Sequence, residues 1–177
     1  MNMRVDRFVT PTYAGHFDLD PSIIKEFKEW AEFERALDPD GAKESTTQNG
    51  WQYVFGQHTQ EPKWANKLKP ILNSIKEEIG CVRIKTIWAI QYDKGGYQDP
   101  HIHNAGLARM MSFILNLDGE GEVILQDPRQ IAVAQGLGFA DIVKLTPGDW
   151  LAFPGYIIHN SRPAKMPRSI LVMDVFV

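Results

Sequence analysis

The sequence predicts an α+β fold, with helices first and then a run of strands that suits a β-sandwich or an open barrel, the helices packing on one side. Three observations predict it. Apolar residues recur at helical spacing in two segments before residue 80. From residue 81 onward the texture turns β-branched and aromatic, in short runs. Those runs are bounded by Gly, Pro or Asp, which are turn residues. A chain of 177 residues is long enough to bury one sizeable core. One domain over 1–177 is expected, helical over about 1–80 and barrel-like over about 81–177.

The elements follow in order. Residues 4–10 could form a short strand. In DLDPSIIKEFKEWAEFERALD, Asp20 stands where an N-cap belongs and Pro21 suits the first helical position. Ile23, Phe27, Trp30, Ala31 and Leu37 then recur on one face, which predicts a helix over 21–37. Residues 38–50 carry turn chemistry and read as a surface loop. WQYVF, 51–55, reads as a short strand. A second helix is expected over about 62–79, with Trp64, Leu68, Ile71, Leu72, Ile75 and Ile79 as its apolar stripe and Gly80 closing it. Pro70 inside that stripe predicts a kink or a break. VRIKTIWAIQY, RMMSFILNL, EVILQ, DIVKL, WLAFP and SILVMDVFV then read as strands.

Composition excludes some partners. The chain is 44% apolar and 23% charged, with net charge −3 and an isoelectric point near 5.9. Lys and Arg are scattered, so no basic stripe is offered to a phosphate backbone and nucleic acid is not an expected partner. The single cysteine, Cys81, allows no disulfide within the chain, which fits a reducing compartment. MNMRVDRFVTP has no apolar run of signal-peptide length, and no stretch approaches the roughly 20 apolar residues of a membrane helix. A cytoplasmic location without a membrane partner is expected.

The chemistry concentrates in DPHIHNAG, residues 99–106. On an extended segment, residues i and i+2 share a face, so His101 and His103 aim two imidazoles the same way. A His-x-His pair alone is weak evidence, because surface and core histidines are common. The second half of the pattern is GDWLAFPGYIIHNSRP, 148–163. Turn chemistry at Pro147-Gly148-Asp149 and Pro154-Gly155 brackets a strand, and Tyr156 to His159 reads as extended again. A hairpin-like return can set His159 opposite the His-x-His segment. Two ligands from one segment and one from a distant strand make a facial set with open positions, the geometry of non-haem Fe(II) oxygenases. Of the five histidines, only His16 and His58 lie outside these two motifs.

An oxygenase of that kind that uses 2-oxoglutarate must hold the far carboxylate of its co-substrate, and a guanidinium does this with a charge-assisted fork. Arg168 opens the last strand, nine residues after His159, and a turn through Pro163 and Pro167 would bring that strand beside the His159 strand. Arg162 is the competing candidate, and a surface arginine at a strand start is the plain alternative.

These pieces together resemble the prolyl-hydroxylase-like group of 2-oxoglutarate/Fe(II)-dependent dioxygenases. TTQNGWQ (46–52), WAIQYDKGGYQDPHIHNAG (88–106), MSFILNLDGEGEVILQDPR (111–129), GDWLAFPGYIIH (148–159) and Arg168 carry the resemblance. It implies a double-stranded β-helix (jelly-roll) core, Fe(II) at His101, His103 and His159, and 2-oxoglutarate at Arg168. It further implies O₂ as co-substrate, hydroxylation of a prime substrate, and release of succinate and CO₂. Such jelly rolls commonly pair, so the resemblance also allows a homodimer.

The sequence departs from the group's pattern at two points. The commoner triad is His-x-Asp…His, and here His103 takes the aspartate's place. Asp99 would share the face of His101 and is an alternative carboxylate ligand, or a partner that orients an imidazole. A serine often found two residues after the arginine is replaced by Ile170, so the carboxylate's further hydrogen-bond partner is sought at Tyr92 or Asn116. Trp88, Trp150 and Phe153 could wall the pocket or simply pack the core.

Two other readings stay open. Gly95, His101 and His103, with Gly148, Pro154 and His159, also match a cupin signature. The glutamate of a His₃Glu cupin site is missing, since Leu107 and Ala108 stand there. A three-His metal dioxygenase or isomerase that does not use 2-oxoglutarate would have no need of Arg168. A binding module with exposed histidines would take up no stoichiometric metal. Segments 38–50 and 127–141 are expected near the barrel mouth, where substrate is selected.

Overall fold

A computed structural model gives the structure, describing residues 10–42, 46–56, 62–103, 109–129, 134, 136 and 140–177. Helix α1 spans Pro21–Leu37. Its start is fixed as the sequence requires: Ser22 N donates to Asp20 Oδ1 at 2.8 Å, satisfying one of the free amides of the first turn. Helix α2 spans Lys63–Glu78. It runs through Pro70 without a break, because Pro70 faces solvent while Leu68 and Ile75 on either side are fully buried. Gly80 ends the helix with φ +68°, the left-handed conformation glycine adopts without cost.

Among the described residues, nine strands follow as β1 (Tyr13–His16), β2 (Thr47–Val54), β3 (Arg83–Gln98), β4 (Met110–Asp118), β5 (Gly121–Gln126), β6 (Ala140–Leu145), β7 (Asp149–Pro154), β8 (His159–Ser161) and β9 (Arg168–Phe176). They form a six-stranded sheet in the order β1-β7-β4-β9-β3-β2 and a three-stranded sheet in the order β6-β5-β8. Every pairing is antiparallel. Two facing antiparallel sheets make the double-stranded β-helix core, with both helices on the outer face of the larger sheet.

Period-two alternation assigns the two faces. Ala89, Phe113, Leu115, Trp150, Leu171 and Met173 face outward and pack beneath Phe27, Trp64 and Leu68 of the helices. Ile90, Tyr92, Ile114, Leu151, Phe153, Ile170 and Val172 face inward against Val123 and Leu125 of the smaller sheet. Trp150 is therefore core under the helices and does not wall the barrel, unlike Trp88 and Phe153.

Four details differ from the sequence reading. Strand β1 at Tyr13–His16 was not anticipated, and residues 4–9, like His58, lie outside the described residues. The strand expected at 51–55 is β2, which begins already at Thr47, so 47–50 of the expected 38–50 loop are strand. Tyr156–Ile158 is turn, and the extended segment begins only at His159. Strand β9 does not lie beside β8: β8 pairs with β5, whereas β9 sits between β4 and β3 in the other sheet. The Pro163–Pro167 connection crosses from one sheet to the other, so Arg168 and His159 meet across the barrel interior.

Strand β3 bends at the bulge Asp93–Gly96, opposite Asn49. Gly96 is needed there, since a Cβ would fall 2.3 Å from Asn49 O. Arg35 at the end of α1 holds the bend through Asp93 at 2.9 and 2.7 Å. Beyond it the chain reaches the smaller sheet, where Gln98 N donates to Ser161 Oγ at 2.8 Å.

Candidate metal centre and buried arginine

His101 and His103 lie just past the end of β3, and His101 forms an isolated antiparallel bridge with His159. Its two backbone hydrogen bonds are both 3.0 Å. The expected facing of His159 and the His-x-His pair is thus made by the backbone itself. One ring nitrogen from each of His101, His103 and His159 lies within 4.8 Å of the other two. His159 is buried and His101 is half-buried. The His103 side chain is only 8% exposed.

The tautomers follow from the outer hydrogen bonds. His101 Nδ1 lies 2.7 Å from the backbone oxygen of Asp99, and His159 Nδ1 lies 3.0 Å from that of Ile157. His103 Nδ1 lies 2.6 Å from Asp174 Oδ1. Carbonyl and carboxylate oxygens only accept, so each Nδ1 carries the proton and each Nε2 presents a bare lone pair. His101 Nε2 and His103 Nε2 then stand 3.0 Å apart with no proton to share. Two such lone pairs repel unless a cation accepts both. Two nitrogens held about 2.1 Å from one ion at a right angle are about 3.0 Å apart, so this edge fits an octahedral face. Burial, followed by the nearby His101, pulls the His159 pKa down to about 3, which keeps its lone pair available.

Asp99 does not join this cluster. Its carboxylate accepts from Gln48 Nε2 at 2.8 Å, and its backbone oxygen, not its side chain, orients His101. Among the described residues, the carboxylate that reaches an imidazole of this cluster is that of Asp174, a residue for which the sequence predicts no role. Asp174 lies on β9, is buried, and accepts from Ser112 Oγ at 2.9 Å as well as from His103. Its signal was parity: Arg168, Ile170, Val172 and Asp174 share the inward face of one strand.

Arg168 is buried within the same barrel. Nε donates to Asn116 Oδ1 at 2.7 Å, and Asn116 is itself held by donating from Nδ2 to Gly119 O at 2.6 Å. Nη2 is buried and has no partner among the described residues. Burial disfavours the guanidinium charge. A buried cationic donor without an acceptor is costly, and an anion is what would satisfy it. Tyr92 is the cross-strand neighbour of Arg168. Its hydroxyl donates to Gln98 Oε1 at 3.3 Å. Burial pushes the Tyr92 pKa up to about 12, so the hydroxyl stays a donor. Arg162 is half-exposed and spent on Glu122 at 2.9 Å. Trp88 stands with its ring 5.3 Å from that of His103, and Phe153 with its ring 4.6 Å from that of His159. These two aromatics make an apolar wall beside the imidazoles.

Fold and site together define a jelly roll built around a three-histidine cluster and an inward arginine. No family model matches the chain, and no curated protein does. Solved structures do match. A prolyl-4-hydroxylase from Pseudomonas putida is 14% identical, with 94% of this chain and 92% of that one covered and a TM-score of 0.62. A prolyl hydroxylase from Trichoplax adhaerens, in complex with a hypoxia inducible factor peptide fragment, is 14% identical over 93% and 83% of the chains, at 0.67. A viral collagen prolyl hydroxylase from Paramecium Bursaria Chlorella virus-1, in its 2OG complex, is 14% identical over 94% and 96%, at 0.60. At this identity the likeness is one of fold, and it is the fold the sequence resemblance implies.

Proposed function

We propose that this chain is a non-haem Fe(II)- and 2-oxoglutarate-dependent dioxygenase that hydroxylates a C–H bond of a prime substrate and releases succinate and CO₂. The observation that carries the reading is the buried Nη2 of Arg168, without a partner among the described residues, inside the same barrel as three bare Nε2 nitrogens. A metal site alone would not need a buried guanidinium, and the guanidinium asks for an anion. His101, His103 and His159 would hold the ion. Fe(II), when bound, supplies the one-electron and O₂ chemistry that side chains lack.

The chain's own residues do the rest. Arg168 takes the far carboxylate of 2-oxoglutarate, with Asn116 holding Nε so that the Nη edge faces inward. Tyr92 keeps its proton, and its single O–H would turn from Gln98 Oε1 to that carboxylate as a second donor. Trp88 and Phe153 keep water from the space beside the imidazoles. The prolyl hydroxylases with this fold, one of them in its 2OG complex, support the same reading.

Anaerobic titration with Fe(II) and then 2-oxoglutarate tests it. The wild type should develop a visible metal-to-ligand absorption band that Arg168→Ala strongly weakens. Iron uptake without a band would favour the three-His cupin reading, and no iron uptake would end both.

A further inference from the structure

We infer that Asp174 is the displaced carboxylate of this metal centre: the negative charge that a His-x-Asp…His triad places on the ion is delivered here from one residue further out, through His103. The inference rests on the metal site proposed above and concerns the chain's own residues.

Three observations carry it. The imidazoles are not equivalent in their outer contacts. His101 and His159 each donate Nδ1–H to a backbone oxygen two residues earlier, which is neutral and local. His103 alone donates to a carboxylate, at 2.6 Å, from a residue 71 positions away in sequence. The histidine standing where the commoner triad has its aspartate is therefore the one that receives a charge.

Asp174 is also placed against the trend of its strand. Its neighbours Val172, Met173 and Val175 are buried and apolar. An ionised carboxylate is costly there unless it is paired and hydrogen-bonded. Ser112 secures it, donating to the same Oδ1 at 2.9 Å while lying 2.6 Å from His103 Nδ1. Ser112 and Asp174 are cross-strand partners, so β4 and β9 set the pair in register.

The third observation is geometric. Asp174 lies on the Nδ1 side of His103, away from the Nε2 cluster, and is not a member of the group that could bind the ion directly. It acts on the metal only through the ring. A carboxylate at Nδ1–H raises the basicity of Nε2 and fixes the ring's orientation. Asp174 is a positioning residue in this sense, and Ser112 holds it in place.

The test is metal binding, read without 2-oxoglutarate and without turnover. Anaerobic Co(II) and Fe(II) titrations would be run on wild type, Asp174→Asn, His103→Asp and the double variant His103→Asp/Asp174→Asn, with metal-free circular dichroism as the check on folding. Asp174→Asn should weaken metal binding about 10- to 100-fold and change the Co(II) d–d spectrum. His103→Asp alone places two carboxylates side by side in a buried site, so it too should bind poorly. In the double variant the carboxylate returns to the ligand position, and the amide introduced at position 174 can donate to it. It should bind metal more tightly than either single variant, a strong positive coupling.

Metal affinity of Asp174→Asn equal to wild type would overturn the inference. So would a double variant no better than the additive sum of the singles. If Asp174→Asn fails to fold, the comparison of the double variant with His103→Asp still decides. A wild type that binds metal but forms no 2-oxoglutarate band would defeat the dioxygenase reading while leaving this one standing.

Discussion

Gly121 and Arg168 occupy the same space: a Cβ on Gly121 would lie 2.1 Å from Arg168 Nη1 and 2.3 Å from Cζ. The guanidinium lies flat against the backbone of β5, so the absence of a side chain at residue 121 sets how Arg168 enters the barrel. Gly121→Ala should therefore damage co-substrate binding from the opposite sheet. Hydrogen bonds to charged groups contribute about 1.5–3 kcal/mol, so 2-oxoglutarate affinity should fall roughly 10- to 100-fold. Metal affinity should change little, and titrating the two ligands separately checks both.

Asn116 is the acceptor for Arg168 Nε. Asn116→Ala leaves a buried charged donor bare at Nε and should cost roughly 1–3 kcal/mol or more of stability. Excess 2-oxoglutarate should stabilise the wild type by mass action, and the variant by the same amount or less. Urea unfolding with and without the ligand measures it. Failure of 2-oxoglutarate to stabilise even the wild type would argue against an anion at Arg168.

Stability of the metal-free chain should fall on mild acidification. His159 has a folded pKa of about 3 against an ordinary value of 6.5, and burial is the main cause. Between those values the unfolded chain binds a proton that the folded chain refuses, so stability drops as pH falls from 6.5 toward 3 and is indifferent to this group above 6.5. His101, also lowered by burial, acts in the same direction. Unfolding midpoints at about pH 7.5 and about pH 5 test the sign, and His159→Gln should flatten the slope.

The Arg35–Asp93 pair should matter much less despite its two short contacts. Its side chains are 33% and 45% exposed, so solvent screens the attraction. Arg35→Ala should cost about 1 kcal/mol or less, read from the denaturation midpoint.

The helices were legible because their signals are local. Asp20, Pro21 and the Ile23/Phe27/Ala31 stripe bound α1 at the residues observed. Strand β1, YAGH, carries no apolar run, and its place is set by Trp150, whose indole fills the space a Cβ on Gly15 would need. That dependence is invisible in YAGH alone. The three histidines and Arg168 were legible as types and spacings, but the sheet that each strand joins was not. Alternation indicates a face and never a neighbour, which is why β9 was expected beside β8. Parity read more strictly would have found two things: Trp150 is out of phase with Phe153, and Asp174 is in phase with Arg168.

The bridge between His101 and His159 joins the segment just past the long strand β3 to the three-residue β8, at the edge where the two sheets come together. An ion gripping both residues would act as a clasp on that seam, tying distant parts of the chain and removing freedom from the unfolded state much as a covalent cross-link does. Without the clasp, the seam is where the barrel would first gape. Amide exchange at His101 and His159 should then slow sharply on metal loading, while the middle of β9, locked between β4 and β3, stays protected either way.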